Sequence, residues 1–304
     1  MKNIIKNIPL PITGLMLGLA GLGNLVVSYG IFYKNILGII SGLLVLFILL
    51  RLIFDYKNCL IEFDNPIIAS VVLTFPMGIM ILSTYIKPYL NQFAINTWYF
   101  GILLHTVLLL IFSYKHLKNF NIKKVYPTYF IVYVGIVVGS VTAPIFNNIV
   151  LGQYLFYFGF LSHMVLLPIV LYRVVKIKDI KKPALPTITI FTAPAGLCLA
   201  GYMSSFPKKN IFLLSWLIFL TLVSITGVII YLPKMISKEF YPSYSAFTFP
   251  FVITAIGLKL SNKFLLSEYG ISILKYPSKA IEILSIILVL YVLYTYMKFI
   301  LVRK

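Results

Sequence analysis

The sequence predicts an all-α integral membrane protein of ten transmembrane helices arranged as five tandem hairpins. Three observations carry that prediction. Of the 304 residues, 61% are hydrophobic and 11% charged, and the mean hydropathy is +0.99, which leaves far too little polar surface for a water-soluble globule. Between charged or Pro/Asn-rich breaks lie ten apolar stretches near the length of about 20 residues that crosses a hydrocarbon core. A proline opens every second stretch (Pro11, Pro66, Pro127, Pro186 and Pro242) at intervals of 55, 61, 59 and 56 residues, and such regular spacing marks a repeated fold unit.

The stretches fall at 12–32, 35–54, 66–86, 95–114, 127–147, 152–172, 184–206, 211–231, 242–260 and 279–302. Open backbone cannot face lipid, and runs this long and this apolar satisfy it as helices. The first is read as a retained helix, because its apolar run of about 25 residues exceeds the leader-peptide core of about 7–15. Little chain remains outside the spans, so residues 1–304 are expected to form one transmembrane domain. Its hairpins are 11–54, 66–114, 127–172, 186–231 and 242–302.

Of the 26 Lys and Arg, 18 fall on the N-terminal side of the spans and 8 on the other, which puts both termini in the cytoplasm of a plasma or inner membrane. The formal charge of +19 is accounted for by this topology signal and by attraction to anionic headgroups; nucleic acid is not an expected partner, and the lipid bilayer is. Lys259, Lys263, Lys275 and Lys279 gather at one outer loop, where they would raise the local anion concentration at a pore mouth. Cys59 and Cys198 are predicted to lie in different layers, against a disulfide. No metal-ligand or catalytic constellation is visible, so neither a cofactor, a metal nor an enzyme is expected.

The two members of each hairpin differ. Odd spans contain 8 prolines and 11 glycines, even spans 1 and 6. Proline inside a helix frees a carbonyl and bends the axis, and in lipid that carbonyl needs a partner from neighbouring protein. The odd helices therefore belong in an inner ring and the smoother even helices around them. Thr-x-Pro recurs as Thr74-Phe75-Pro76, Thr142-Ala143-Pro144, Thr192-Ala193-Pro194 and Thr248-Phe249-Pro250. Each threonine can cap the freed carbonyl or donate toward a lumen. From spacing alone, Phe75, Phe247 and Phe249 read as ordinary helix packing. Among the seven acids only Glu282 falls within a span, and the histidines His105 and His163 sit on even helices. The central axis is thus expected to lack the buried ionisable groups that coupled carriers use.

The stretches "LPITGLMLGLAGLGN", "NPIIASVVLTFPMG", "YPTYFIVYVGIVVG", "APAGLCLAGYMS" and "PSYSAFTFPF", in this order, resemble the tellurite-resistance/dicarboxylate transporter family, which includes bacterial TehA-like proteins and the slow anion channels of plant guard cells. The resemblance implies homotrimers of ten-helix protomers with one pore in each. It implies a pore occluded by a phenylalanine of the ninth span, falling on Phe249 with Phe247 as the near alternative, and a pore-lining glycine falling on Gly14. Pro76, Pro194 and Pro250 match the family's inner-helix pattern, placing Phe75 and Thr248 beside the lumen. The fifth span departs, since Pro144 lies 17 residues after Pro127, and Gly135 and Gly139 replace Thr142 there. Ser245 stands where relatives often carry a bulky aromatic.

The expected function is a passive channel for small monovalent anions such as chloride or nitrate. The alternative is a proton-linked carrier of C4-dicarboxylates, or a tellurite-related transporter, with inorganic or organic anions as partners in either case.

Overall fold

The computed structural model describes residues 5–118, 120–237 and 239–302. Among these residues all regular elements are helical. Helix α1 (Ile12–Leu25) passes through a 3-10 turn (Val27–Tyr29) into α2 (Ile31–Phe54). The short α3 (Tyr56–Glu62) leads to α4 (Pro66–Val72) and α5 (Thr74–Ile86), and α6 (Asn91–Leu117) returns. Next come α7 (Tyr129–Val134), α8 (Val137–Thr142) and a 3-10 turn (Ala143–Phe146), followed by α9 (Ile149–Tyr172). A 3-10 segment (Lys182–Phe191) feeds α10 (Thr192–Ser205), and α11 (Ile211–Met235) returns. The last pair is a 3-10 turn (Pro242–Phe247) with α12 (Phe249–Tyr269), and α13 (Lys275–Val302).

Among the described residues eight segments are long and apolar enough to cross a membrane, while α1 and the Val137–Phe146 stretch are apolar but shorter. This differs from the expectation of ten full-length spans. At 1.5 Å per residue α1 rises about 21 Å, short of the roughly 30 Å hydrocarbon core. The 127–147 stretch is divided into α7, α8 and a 3-10 turn.

Burial separates the two kinds of helix as the proline and glycine content predicts. In the Lys182–Ser205 segment 83% of the most apolar window is buried, against 28% in Ile31–Phe54. The exposed faces of α2, α6, α9, α11 and α13 carry large apolar side chains such as Phe47, Leu103, Leu161, Phe219 and Leu290, a surface suited to hydrocarbon.

The inner segments pack in cyclic order. Helix α1 touches α5, α5 touches α8, α8 touches α10, α10 touches α12, and α12 returns to α1. Each outer helix packs on the inner helix that precedes it in the chain. Small residues allow the closest of these approaches. Between α10 and α12, a Cβ on Gly196 would lie 2.8 Å from Thr254 Cα, and one on Gly257 would lie 2.9 Å from the Gly196 carbonyl. On α1, Gly14, Gly18 and Gly21 form one stripe at helical spacing, and it receives Ser245, Thr248, Phe249 and Val252.

Every Thr-x-Pro coincides with a change in the helix. A new helix starts at Thr74, Thr192 and Phe249, and α8 gives way to a 3-10 turn after Thr142. The threonine hydroxyls resolve into one role, since each donates to a carbonyl of the preceding turn. Thr74 Oγ1 reaches Val71 O at 2.7 Å, Thr192 reaches Thr189 O at 3.2 Å, and Thr248 reaches Ser245 O at 2.7 Å. Thr142 reaches Val138 O at 2.9 Å. These acceptors lie five or six residues before the prolines, not at the i−4 carbonyl whose N–H partner proline removes, so each threonine ties its hydroxyl to its own preceding turn rather than capping the freed carbonyl.

Candidate functional site

The inner segments enclose two connected spaces on the axis they share. On the N-terminal side is a vestibule of about 760 Å³, lined by the starts of all five inner segments. Beyond it lies a neck of about 40 Å³, room for little more than a few water molecules. Val71 and Ser245 line both and mark their junction.

Of the residues expected at a pore, Gly14, Gly135, Pro194, Phe249 and Pro250 all line the neck. They come from four different inner segments and meet only in the folded chain. Phe249 is buried. Its ring edge lies where a Cβ on Gly21 would approach Cδ2 and Cε2 to 3.3 Å, so the bare backbone of α1 makes room for the ring.

Four other expected positions line neither space. The carbonyl of Pro76 faces Gly101 of α6, 3.2 Å from where a Cβ there would lie. Phe75, one residue earlier, packs partly buried against the apolar core. Gly139 is turned toward Leu155 of α9 and Ile102 of α6. Thr248 lies against α1, where its hydroxyl also donates to Gly14 O at 2.9 Å. Phe247, the alternative to Phe249, is fully buried with its ring 5.1 Å from that of Tyr244. Each of these residues meets a neighbouring helix or the apolar core instead.

Residues not anticipated complete the neck wall: Leu17, Met77, Phe130, Val134, Ile190 and Leu197. Their signal was present as i, i+3, i+4 and i+7 spacing from the expected positions, as in Ile190, Ala193, Pro194 and Leu197. Thr74 and Ser245 are the polar side chains of the wall, and no ionisable side chain belongs to it. His105 sits behind Gly135, its Nε2 3.0 Å from Val132 O. His163 lies edge-on to Phe130 with ring centroids 6.0 Å apart.

Charge collects at the two ends instead. In the vestibule wall are Lys6, Arg51, Lys124 and Lys181, with Glu62, Asp64 and His116. The buried Arg51 guanidinium donates to Ile8 O and pairs with Glu62, while its Nε has no partner. Asp64 pairs with Lys115. At the opposite end, buried Glu282 accepts from Lys259 Nζ at 2.9 Å, from Lys279 Nζ at 3.0 Å and from the Tyr29 hydroxyl. Lys259 also donates to Leu25 O at 3.2 Å and Ser28 Oγ at 3.1 Å, tying α12 to the end of α1. Two of the four outer lysines are thus engaged by one carboxylate, and the expected outer basic funnel is reduced accordingly.

No group of three or more metal-ligating side chains occurs among the described residues. Both cysteines are free, and burial raises the Cys59 thiol above its ordinary pKa.

A search of the curated proteins finds no match to this chain. A profile described as voltage-dependent anion channel (SLAC1) matches residues 7–301, almost the whole sequence and all five inner segments. This multi-pass, helical membrane protein therefore belongs to the SLAC1 family of anion channels.

Proposed function

We propose that the chain is a passive channel for small monovalent anions such as chloride and nitrate, closed in this conformation by the Phe249 ring. The observation that carries the reading is the neck, where five inner segments converge on a space of about 40 Å³ lined by uncharged side chains. A weakly hydrated monovalent anion can pass such a constriction once it is widened, because no charged site holds it there. Selectivity then follows dehydration and favours larger, weakly hydrated anions. A proton-linked dicarboxylate carrier would need ionisable groups at the axis, and His105 and His163 lie behind the wall rather than in it.

In this reading the five inner and five outer segments form ten membrane helices, both termini are cytoplasmic, and three protomers associate with one pore each. The short α1 and the divided 127–147 segment are shielded from lipid by the outer helices. Gly14, Gly135, Pro194 and Pro250 line the closed neck around Phe249, while Phe75, Pro76, Gly139 and Thr248 support it from behind.

The test is current through purified protein in planar bilayers under mixed chloride, nitrate and malate gradients. Anion-selective, non-saturating current that does not depend on a pH gradient is expected. Malate uptake driven by a pH gradient refutes the reading.

A further inference from the structure

The vestibule carries more chemistry than passage of a monovalent anion requires. Its volume, about 760 Å³, lies within the range of roughly 300–1,000 Å³ typical of small-molecule sites. The neck beyond it is about 40 Å³. A ligand that fills the first cannot traverse the second.

The charged side chains around this space are Lys6, Arg51, Lys124, Lys181, Glu62 and Asp64, with His116 beside them. Both carboxylates are occupied, Glu62 by Arg51 and Asp64 by Lys115. Lys6, Lys124 and Lys181 make no ion pair among the described residues, and each is exposed. They stand just ahead of three different inner segments in the chain yet line one space. Two polar nitrogens of lining residues, the Arg51 Nε and the His116 Nε2, are buried without a partner. The rest of the wall is largely apolar, with Pro9, Pro11, Pro66, Pro183 and Pro242 interrupted by Asn7, Asn65, Thr187, Ser243 and Ser245.

Three unpaired ammonium groups beside a largely apolar wall suit a multivalent phosphate on an organic body. Lysine meets phosphate as a point charge from several directions, and convergent cations focus an anionic ligand into a cleft. We propose that the vestibule is a binding site for a soluble organic phosphate, which plugs the pore from the N-terminal side. The plugging rests on the channel reading given above, and the binding does not.

Adenosine triphosphate, with inorganic phosphate for comparison, is titrated calorimetrically into the full-length protein in phosphatidylcholine nanodiscs. Wild type is expected to bind the nucleotide at least tenfold more tightly than inorganic phosphate. Lys124→Gln with Lys181→Gln is expected to weaken it at least tenfold. Absence of binding by wild type, or unchanged affinity in the folded variant, overturns the proposal. If that variant does not fold, wild type alone decides: bound nucleotide must protect Lys124 and Lys181, but not Lys263, from an amine-reactive reagent. Equal labelling with and without nucleotide overturns it as well. Because a lipid headgroup offers the same phosphate chemistry, the titration is repeated with one-third phosphatidylglycerol. Unchanged affinity supports the soluble ligand, and a threefold or greater loss assigns the site to lipid and overturns it. Bilayer currents through Phe249→Ala complete the set, with nucleotide on the N-terminal side expected to reduce current at least fivefold. Binding without any current through Phe249→Ala sinks the channel reading alone, whereas current without binding or block sinks the vestibule site alone.

Discussion

Phe249→Ala separates a gating ring from a packing ring. Phe249 lines a neck of about 40 Å³, and an ion entering there must shed its water among apolar side chains. The idealised transfer of such an ion into a low-dielectric medium costs of order 20 kcal/mol. Even a quarter of that, about 5 kcal/mol, suppresses passage by three to four orders of magnitude at roughly 1.36 kcal/mol per decade. Removing the ring widens the neck, which already meets the vestibule at Ser245 and Val71, and should raise anion flux by about three orders of magnitude, on the same scale of about 1.36 kcal/mol per decade. Truncating a buried phenylalanine ordinarily costs about 3–5 kcal/mol. Here the vacated space opens on a solvent-accessible vestibule, so the loss should sit near the lower end, about 3 kcal/mol. The control is Phe247→Ala, whose ring is fully buried against Tyr244. It should lose about 3–5 kcal/mol of stability without gaining flux. Chloride efflux from liposomes reads the first quantity and detergent-phase thermal unfolding the second. The reasoning is refuted if folded Phe249→Ala conducts no better than wild type, or if Phe247→Ala opens the pore equally.

Gly21→Ala places a Cβ 3.3 Å from two ring carbons of Phe249 and 3.1 Å from Val252 Cγ1, an overpacking worth about 1–3 kcal/mol; its effect on flux should vanish when Phe249 is already alanine, which a double-mutant cycle in liposomes measures. Glu282→Gln removes the carboxylate shared by Lys259 and Lys279. With both lysines partly exposed and screened, about 1–2 kcal/mol of stability should be lost, seen as a lower unfolding temperature that Glu282→Asp partly restores. The buried Cys59 thiol, raised by burial, should label slowly with maleimide at neutral pH. Its rate should climb only above the ordinary thiol range near about 8.5; fast labelling at neutral pH contradicts the burial.

The sequence by itself determined the class, the repeat and the break points of the inner segments, because these depend on local chemistry. Hydropathy needs only composition, the five prolines keep their spacing wherever the helices pack, and Thr-x-Pro alters the backbone at its own position, as at Thr74, Thr192 and Thr248. Rotation about each helix axis was decided by tertiary structure alone. Gly135 and Gly139 sit one turn apart on the same segment, yet the first lines the neck and the second is turned to Leu155 and Ile102. Which face meets the axis depends on how small residues such as Gly14, Gly18, Gly196 and Gly257 let neighbours approach, and that is a property of pairs of helices. Charge followed the same division. The lysine counts were plain in the chain, but the capture of Lys259 and Lys279 by Glu282 and the convergence of Lys6, Lys124 and Lys181 on one space arise only when distant segments close the ring.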